Sequence, residues 1–453
     1  MFVQSKGLDP MSLETMKKGR GIALVLVLFV MIILLLVTIT LSSMAMTDNQ
    51  ISLKHYYAKK SFNLARSGII RASAELKTNP NWGSSPVAHD FGDNGKYTVT
   101  VEFHTGDNGR GFWKVTSVGE IGEYKRTIYS WMELQSFSEY LYLTDSERGN
   151  VGGRYYTIWF TGNDQLDGPI HTNGYYSFYQ NPNFANKVTS SNTGDSYYNQ
   201  NKVTYRQGGR TYTDPAKFYH YYSNYNNDYP VALNDSPDFS FTGGVSEAEF
   251  PGGVSDIKDQ ADHTINGNVK YIKFLSNGYI EIKPKNKPKF TISSNDTTIF
   301  VKGHIQEVYG VVKGKVTVAS TGNIKISKDI TYSDDEVDML GLVANNDIIV
   351  NTSPYKREDI TIHGALMAMQ GSFYVNDYNR GIDRGVLHVY GSITQKRRGP
   401  VGTFTTRGRY TGYHQKDYKY DPRLKFLRPP DFPTTGKVVV KAFLRDKGAL
   451  GGD

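Results

Sequence analysis

The chain has 453 residues, more than one typical domain contains, so we expect two or three folded units. It contains no cysteine, which excludes disulfide bonds and thiolate metal centres. The formal net charge is +8, which is compatible with a polyanionic partner if the excess is concentrated on one surface.

Near the N-terminus, residues 17–46 read KKGRGIALVLVLFVMIILLLVTITLSSMAM, and no charged residue lies between Arg20 and Asp48. At about 1.5 Å per residue, this run can cross a hydrocarbon core of about 30 Å. It is too long for a conventional secretion signal peptide. The sequence therefore predicts a transmembrane helix over 22–47, with the basic flank in the cytoplasm and the rest of the chain outside. A plain single-span membrane protein remains an alternative.

The helical pattern continues beyond the apolar run. Apolar residues recur at spacings of four and three, which predicts one buried stripe: Ala58, Phe62, Ala65, Ile69, Ala72 and Leu76. Pro80 and Gly83 are expected to end this helix. The β-type runs at 96–103, 112–121 and 124–134 are separated by turn residues and predict an antiparallel meander on which the stripe packs.

Two motifs in this region are typical of a known family. MKKGRG at 16–21 is a short basic leader that ends in glycine before an apolar helix, and FNLARSGI occupies 62–69. Over about residues 16–78 the chain resembles PilX-like minor pilins of type IV pili. The resemblance implies an α+β pilin module over 22–136, in which the long helix lies on an antiparallel sheet. It also implies contacts with other pilins through that helix.

The same resemblance implies processing of the N-terminus. Residues 1–21 would be a prepilin leader, removed by a prepilin peptidase between Gly21 and Ile22, and Ile22 would be N-methylated. The start codon could be Met1, Met11 or Met16. At the fifth mature position, where major pilins usually have glutamate, this chain has Leu26. That departure resembles tip subunits, which have no subunit above them to pair with.

The region 137–400 differs from the preceding residues in composition and in predicted secondary structure. A Tyr- and Asn-rich stretch at 175–229 is predicted to be an extended loop that carries many aromatic and polar side chains. Short β runs between polar turns occupy 264–393. The pattern favours a mainly β, solenoid-like domain, with an irregular β-helix or a sandwich as alternatives. Inward positions are predicted at Val316, Val318, Ile324, Ile326, Ile348 and Val350. The region resembles the β-rich domain of unknown function that follows PilX-like starts, through LDGPIHTNG at 166–174 and YDPRL…RPPDFP at 420–433.

Catalytic and cofactor motifs are missing from the sequence, so we expect a protein that is not an enzyme and uses no cofactor. Asp334, Asp335 and Asp338 could hold a hard cation but lack the spacing of a known loop, so a solvated turn is favoured and no metal site is predicted. His171 has no assignable carboxylate partner, which favours a turn-stabilising role over a ligand or a base.

A basic aromatic segment is the strongest binding signal. Residues 396–428 contain ten Lys or Arg and two Asp, a net charge of +8 in 33 residues, and aromatic residues are interleaved with them. We predict that residues 401–453 form a separate basic aromatic C-terminal segment. Cations with aromatic stacking surfaces suit a nucleic-acid site. The candidate residues are Lys396, Arg397, Arg398, Arg407, Arg409, Tyr410, Tyr413, Lys416 and Arg423. A solvated loop or a subunit contact is the alternative.

Together these features predict a minor pilin, at or near the tip of a type IV pilus-like filament, whose β-rich head binds extracellular DNA in natural transformation. A tip adhesin for glycans or surfaces, or a large pseudopilin of a type II secretion system, are the alternatives. The chain would lie in the inner membrane before assembly and in the extracellular filament afterwards. Its expected partners are other pilins, the peptidase, and DNA or a polyanionic glycan.

Overall fold

The computed structural model describes residues 13–105, 111–151, 154–174, 176–179, 182–186, 188–191, 203–207, 210–214, 218–220, 241–242, 244–404 and 409–445. The chain divides into two compact units. The first comprises Met1–Glu102, Lys114–Trp131 and Ala442–Asp453, and the second comprises Phe103–Trp113 and Met132–Lys441. The backbone therefore passes between the units four times.

The helices are α1 (Leu13–Glu75) and α2 (Ser255–Gln260). The strands of the first half of the chain are β1 (Val87–Asp90), β2 (Lys96–Thr105), β3 (Gly111–Ile121), β4 (Tyr124–Ser136), β5 (Tyr142–Ser146), β6 (Arg148–Val151), β7 (Arg154–Thr157), β8 (Phe160–Thr161), β9 (Gln165–Asp167), β10 (Ile170–Thr172), β11 (Ser177–Tyr179), β12 (Asn183–Phe184), β13 (Val188–Ser190), β14 (Val203–Gln207), β15 (Arg210–Asp214), β16 (Phe218–His220) and β17 (Phe241–Thr242).

The strands of the second half are β18 (His263–Asn266), β19 (Val269–Leu275), β20 (Tyr279–Pro284), β21 (Phe290–Ser293), β22 (Thr297–Lys302), β23 (Ile305–Val312), β24 (Lys315–Ser320), β25 (Ile324–Tyr332), β26 (Met339–Ala344), β27 (Ile348–Val350), β28 (Ile360–Ala368), β29 (Phe373–Val375), β30 (Val386–Arg397), β31 (Gly402–Phe404), β32 (Tyr410–Gly412), β33 (Gln415–Tyr420) and β34 (Thr434–Arg445).

The N-terminal half of α1 exposes its apolar side chains. From Ala23 onward the helix is long and apolar enough to span a membrane, and none of its most apolar window is buried. Gly21 and Ile22 lie inside α1. Exposed leucines, valines and isoleucines in such a run are costly in water, so this half of the helix requires an apolar environment.

The C-terminal half of α1 packs on a sheet of the first unit. Ala65, Ile69, Ala72 and Leu76 of the predicted stripe are buried, and Ala58 and Phe62 are half-buried. The helix lies very close to β3, because a Cβ atom added to Gly119 would lie 2.0 Å from the Ser61 carbonyl oxygen. Only glycine fits at that position. The helix ends at Glu75, before the expected stops.

The sheet under the helix has the strand order β1-β2-β3-β4-β34. Strands β2, β3 and β4 coincide with the three predicted β runs, and β1 pairs with β2 in antiparallel fashion. The last strand, β34, comes from the far end of the chain. The predicted boundary at residue 400 therefore differs from the structure, in which the 401–453 segment also supplies β33 to the second unit.

The second unit is built from stacked parallel ladders. The first ladder pairs β18, β22, β24, β26, β28, β30, β5, β10, β13 and β17 in that order. The second pairs β19, β23, β25, β27 and β29. The third joins the C-terminal part of β25 to β28, β30, β33, β9 and β12. Consecutive strands of each ladder therefore place equivalent residues one above another.

The registers produce buried columns of apolar side chains. In the first ladder Ile299, Val318, Leu342, Leu366 and Ile393 lie in one such column. All six predicted inward positions have 0% exposure, so the predicted strand phase is confirmed. In the Tyr- and Asn-rich stretch the described residues form the short strands β11 to β16 and a few positions beside them, and the remaining residues lie outside the described part of the chain.

The stacking order differs from the chain order. The stacked strands that begin at residue 263 continue as far as β30, and β5 from residues 142–146 then pairs beside β30. The segment 244–262 returns along the outer side of the first ladder. There Ala248, Val254 and Ile257 pack in one buried cluster with side chains of that ladder.

Ile326→Asp should unfold the ladder body, because it places a charge in a fully buried column where an apolar side chain contributes about 1.5–3 kcal/mol. Thermal unfolding in detergent, followed by circular dichroism, measures this. Lys302→Asp at an exposed position of β22 is the control and should shift the transition little. An unchanged transition for Ile326→Asp would contradict the ladder register.

Candidate nucleic-acid interface

Arg398 is inside the fold rather than on a binding surface. Its guanidinium is 2.7 Å from the Glu147 carboxylate and 3.5 Å from the centroid of the Phe160 ring. It also donates a hydrogen bond to the Trp159 carbonyl, and only 1% of the residue is exposed. A buried ion pair of this kind fixes its partners, since removing one member leaves the other charged and unpaired. The prediction that Arg398 contacts nucleic acid is therefore corrected.

Lys416 is buried in the same way. Its ammonium lies 2.6 Å from a carboxylate oxygen of Asp164, which is itself 1% exposed and also accepts a hydrogen bond from the Thr161 N–H. Burial lowers the pKa of Lys416, and the Asp164 carboxylate opposes that shift. The pair ties β33 to the turn before β9, so the expected nucleic-acid role of Lys416 is also corrected.

Three other candidates serve the fold. Arg423 forms a two-pronged ion pair with Asp421, its guanidinium nitrogens lying 2.9 and 2.6 Å from the two carboxylate oxygens. Tyr413 is 1% exposed and donates to the Glu358 carbonyl, so it offers no stacking face. Lys396 lies 2.8 Å from Asp145. Three of the ten cations of 396–428, namely Lys396, Arg398 and Lys416, are thus paired with acids elsewhere in the chain.

The candidates that reach the surface are Arg397, Arg409 and Tyr410. Arg397 is exposed and donates to the Gln370 carbonyl, and Arg409 is exposed beside β32. Tyr410 is half-buried, with its ring stacked 4.3 Å from that of His414. Arg407 lies outside the described residues. The predicted site is therefore dispersed, and only its 409–410 part joins a larger surface.

That surface is built by three loops that stack on one another. The Ile382 N–H donates to the Pro354 carbonyl at 3.0 Å, and the Gly412 N–H donates to the Ile382 carbonyl at 3.2 Å. Beneath them Arg384 is fully buried and donates to the carbonyls of Thr352 and Asn376. Its guanidinium thereby holds two of the loops in place.

The stacking brings together residues that are distant in sequence. We call the following exposed or half-buried side chains the stacked-loop surface: Tyr355, Lys356, Arg357, Arg380, Arg409 and Tyr410. Tyr355 is 75% exposed, so its ring is available for stacking. Sequence analysis found only Arg409 and Tyr410, because the stacking of the loops cannot be read from local composition.

Acidic neighbours offset part of this charge. Lys356 pairs with Glu358 at 2.6 Å, Arg357 with Asp383 at 3.6 Å and Arg380 with Asp377 at 3.5 Å. The Lys and Arg side chains of these pairs are 65–72% exposed. Exposed ion pairs contribute about 0–1 kcal/mol each, so a ligand phosphate can replace them at little cost.

The two candidate ligand groups elsewhere also have structural roles. Both carboxylate oxygens of Asp338 accept backbone N–H groups, from Gly314 and Asp334, and therefore stabilise a turn. His171 is 1% exposed, and its ring nitrogens lie 2.9 Å from the Thr189 hydroxyl and 3.0 Å from the Ser191 hydroxyl. Burial lowers the pKa of His171 to about 4.

This shift predicts a pH-dependent stability. An unfolded histidine titrates near pH 6.5, so between pH 6.5 and about 4 the unfolded chain binds a proton that the folded chain excludes. The contribution of His171 is complete above pH 6.5 and is lost as the pH falls, by up to about 3 kcal/mol. His171→Gln should flatten the difference in denaturation midpoint between pH 7 and pH 4.5, and His55→Gln, on the exposed part of α1, is the control. Identical pH profiles for His171→Gln and the unmodified chain would refute this role.

Two of three comparisons with known proteins give a match. Residues 97–193 match a domain of unknown function, DUF4900, a segment that includes the LDGPIHTNG stretch. A search of curated proteins finds no match. Among solved structures, the competence-associated pilin ComZ from Thermus thermophilus is similar at 11% sequence identity and a TM-score of 0.30, over 86% of this chain and 97% of that chain.

Proposed function

We propose that this chain is a minor pilin-like subunit of a type IV pilus-like filament, with a β-rich head that acts by binding and not by catalysis. The observation that carries the proposal is the division of α1 into two halves. The first half exposes an unbroken apolar surface, and the second half buries its stripe on a sheet. A helix of this kind can leave the membrane only if another apolar surface, such as neighbouring subunit helices, covers it.

The sequence around the helix supports the same proposal. The leader ends in Gly21 directly before the apolar run, and Leu26 replaces the glutamate of major pilins. We propose that a prepilin peptidase cleaves after Gly21, that the subunit then enters the filament from the inner membrane, and that it occupies a tip position. The stacked ladders of the second unit would be the solenoid-like head.

Cleavage after Gly21 should produce a mature chain that begins at Ile22. Gly21→Leu should block it, because a larger side chain does not fit beside the scissile bond. Intact-mass measurement of membrane-extracted protein distinguishes the two forms, and Gly19→Leu, which lies in the leader whichever start codon is used, is the control. Quantitative mass spectrometry of sheared filaments should find only a few copies. An uncleaved leader in cells that have the peptidase, or copy numbers like those of a major subunit, would contradict the proposal.

A second proposed function is the binding of DNA by the head. The stacked-loop surface is the specific observation in its favour, since it combines four cations with two tyrosine rings on a base held by Arg384. Phosphates would replace the acidic partners of the exposed Lys356, Arg357 and Arg380 side chains. Bases of a single strand would stack on Tyr355, whose ring is largely exposed.

DNA binding at this surface should depend steeply on salt. If three phosphates engage the surface arginines, the log–log slope should be about −2 for single strands. Replacing Arg357, Arg380 and Arg409 with Ala should flatten the slope. Tyr355→Ala should weaken single-strand binding by about 1–3 kcal/mol with the slope unchanged. Fluorescence anisotropy with labelled DNA measures both effects, and Lys302→Ala on β22 is the control. Binding that survives the triple arginine change would exclude this surface.

A further inference from the structure

A second charged surface lies on the outer side of the second ladder. Its residues are distant in sequence from those of the stacked-loop surface. Residues 270–289 contain six lysines and one glutamate, with no other charged residue, a net charge of +5. The register places Lys273 opposite both Glu281 of β20 and Tyr309 of β23. Directly opposed residues on neighbouring strands project to the same side of a sheet, so these three side chains share one face.

We call the following six residues the lysine–tyrosine face: Tyr271, Lys273, Glu281, Lys289, Tyr309 and Lys328. Their contacts form one connected group. The Tyr271 hydroxyl donates to Glu281 at 2.9 Å, and the Lys289 ammonium lies 2.7 Å from the same carboxylate. Lys328 lies 5.0 Å from the centroid of the Tyr309 ring, and the Tyr271 and Tyr309 centroids are 6.4 Å apart.

An irregularity of the ladder positions Lys328. Val308 pairs with Ile326 and Gly310 with Ile330, so three residues of β25 lie opposite the single residue Tyr309 of β23. Bulges of this kind redirect side chains and are common beside functional sites. Without the two extra residues, the strand would have no side chain at the place that Lys328 occupies over the ring.

From this geometry we infer that the lysine–tyrosine face binds an acidic polysaccharide of the polyuronate type. Each uronate unit offers a carboxylate for an ammonium, hydroxyl groups for a carboxylate, and an apolar ring face for a tyrosine. The face presents all three complementary groups within one cluster. A lysine–tyrosine contact at an exposed site contributes about 0.5–1 kcal/mol, so a sugar ring can displace Lys328, whose ammonium then pairs with the ligand carboxylate.

Two features favour a polyuronate over a nucleic acid. Glu281 lies in the middle of the face, where a carboxylate repels any anionic polymer but can accept hydrogen bonds from the free hydroxyl groups of a uronate unit, which the DNA backbone lacks. The two tyrosine rings are inclined at 49°, so they cannot both lie parallel to one flat stack of bases. They suit separate rings of a twisted sugar chain. All the cations of the face are lysines, which act as point charges for single carboxylates rather than as forks for phosphate.

The experiment uses the full chain in detergent, with polygalacturonate as the probe and its fully methyl-esterified form as the uncharged comparison. Tyr309→Ala and the double change Lys273→Ala with Lys328→Ala should each weaken polygalacturonate binding by about ten-fold, the equivalent of about 1.4 kcal/mol. Tyr309→Phe, which keeps the ring, should stay within about two-fold. The matched control is Lys302→Ala with Lys315→Ala, which removes the same charge from β22 and β24 of the first ladder.

Glu281→Gln separates the two classes of polymer. It should strengthen single-stranded DNA binding by removing a repulsive charge, whereas for polygalacturonate the poorer acceptor for hydroxyl groups opposes that gain, so the ratio of polygalacturonate affinity to DNA affinity should fall. Equal affinity for the methyl-esterified polymer, an affinity ratio that Glu281→Gln leaves unchanged or raises, or unaltered binding by Tyr309→Ala would each overturn the inference. The stacked-loop variants should leave polygalacturonate binding unchanged, so this result and the DNA experiment can fail independently.

Discussion

The pairing of β30 with β5 is the contact on which the second unit depends. It joins the strands of two separate parts of the chain and places Tyr142 beside Ile393. Without it, the stack would end at an open edge with unpaired backbone groups. Parallel pairs are formed by residues far apart in sequence, and the loop entropy of closing them must be recovered from burial and from specific side-chain contacts.

Buried polar side chains connect the two parts of the chain that meet where β30 pairs with β5. The Gln395 amide donates to the Tyr142 hydroxyl, and Arg398 pairs with Glu147 across a separation of 251 residues. Lys416 and Asp164 add a second pair, 252 residues apart. Buried ion pairs contribute little net stability compared with apolar side chains of the same size, but mispairing them is costly. Their effect here is to select one register for the junction, since a slipped strand would leave charges without partners.

The sequence predicted those features that depend on local periodicity. The α1 stripe from Ala65 to Leu76, the strands β2 to β4 and the buried phase of Val316 and Ile326 all follow from the spacing of apolar residues. The same reasoning failed for the basic segment. A count over 396–428 registers Arg398 and Lys416 but not their carboxylate partners, which approach only through the ladder order. The stacked-loop surface escaped prediction for the same reason, because three loops supply it.

The backbone crosses between the two units at four places, after residues 102, 113, 131 and 441. The two units are therefore joined by four covalent connections instead of the single linker that joins most tandem domains. Each of these connections lies inside a strand of the five-stranded sheet, in β2, β3, β4 or β34, so the residues that join the units are strand residues and not linker residues.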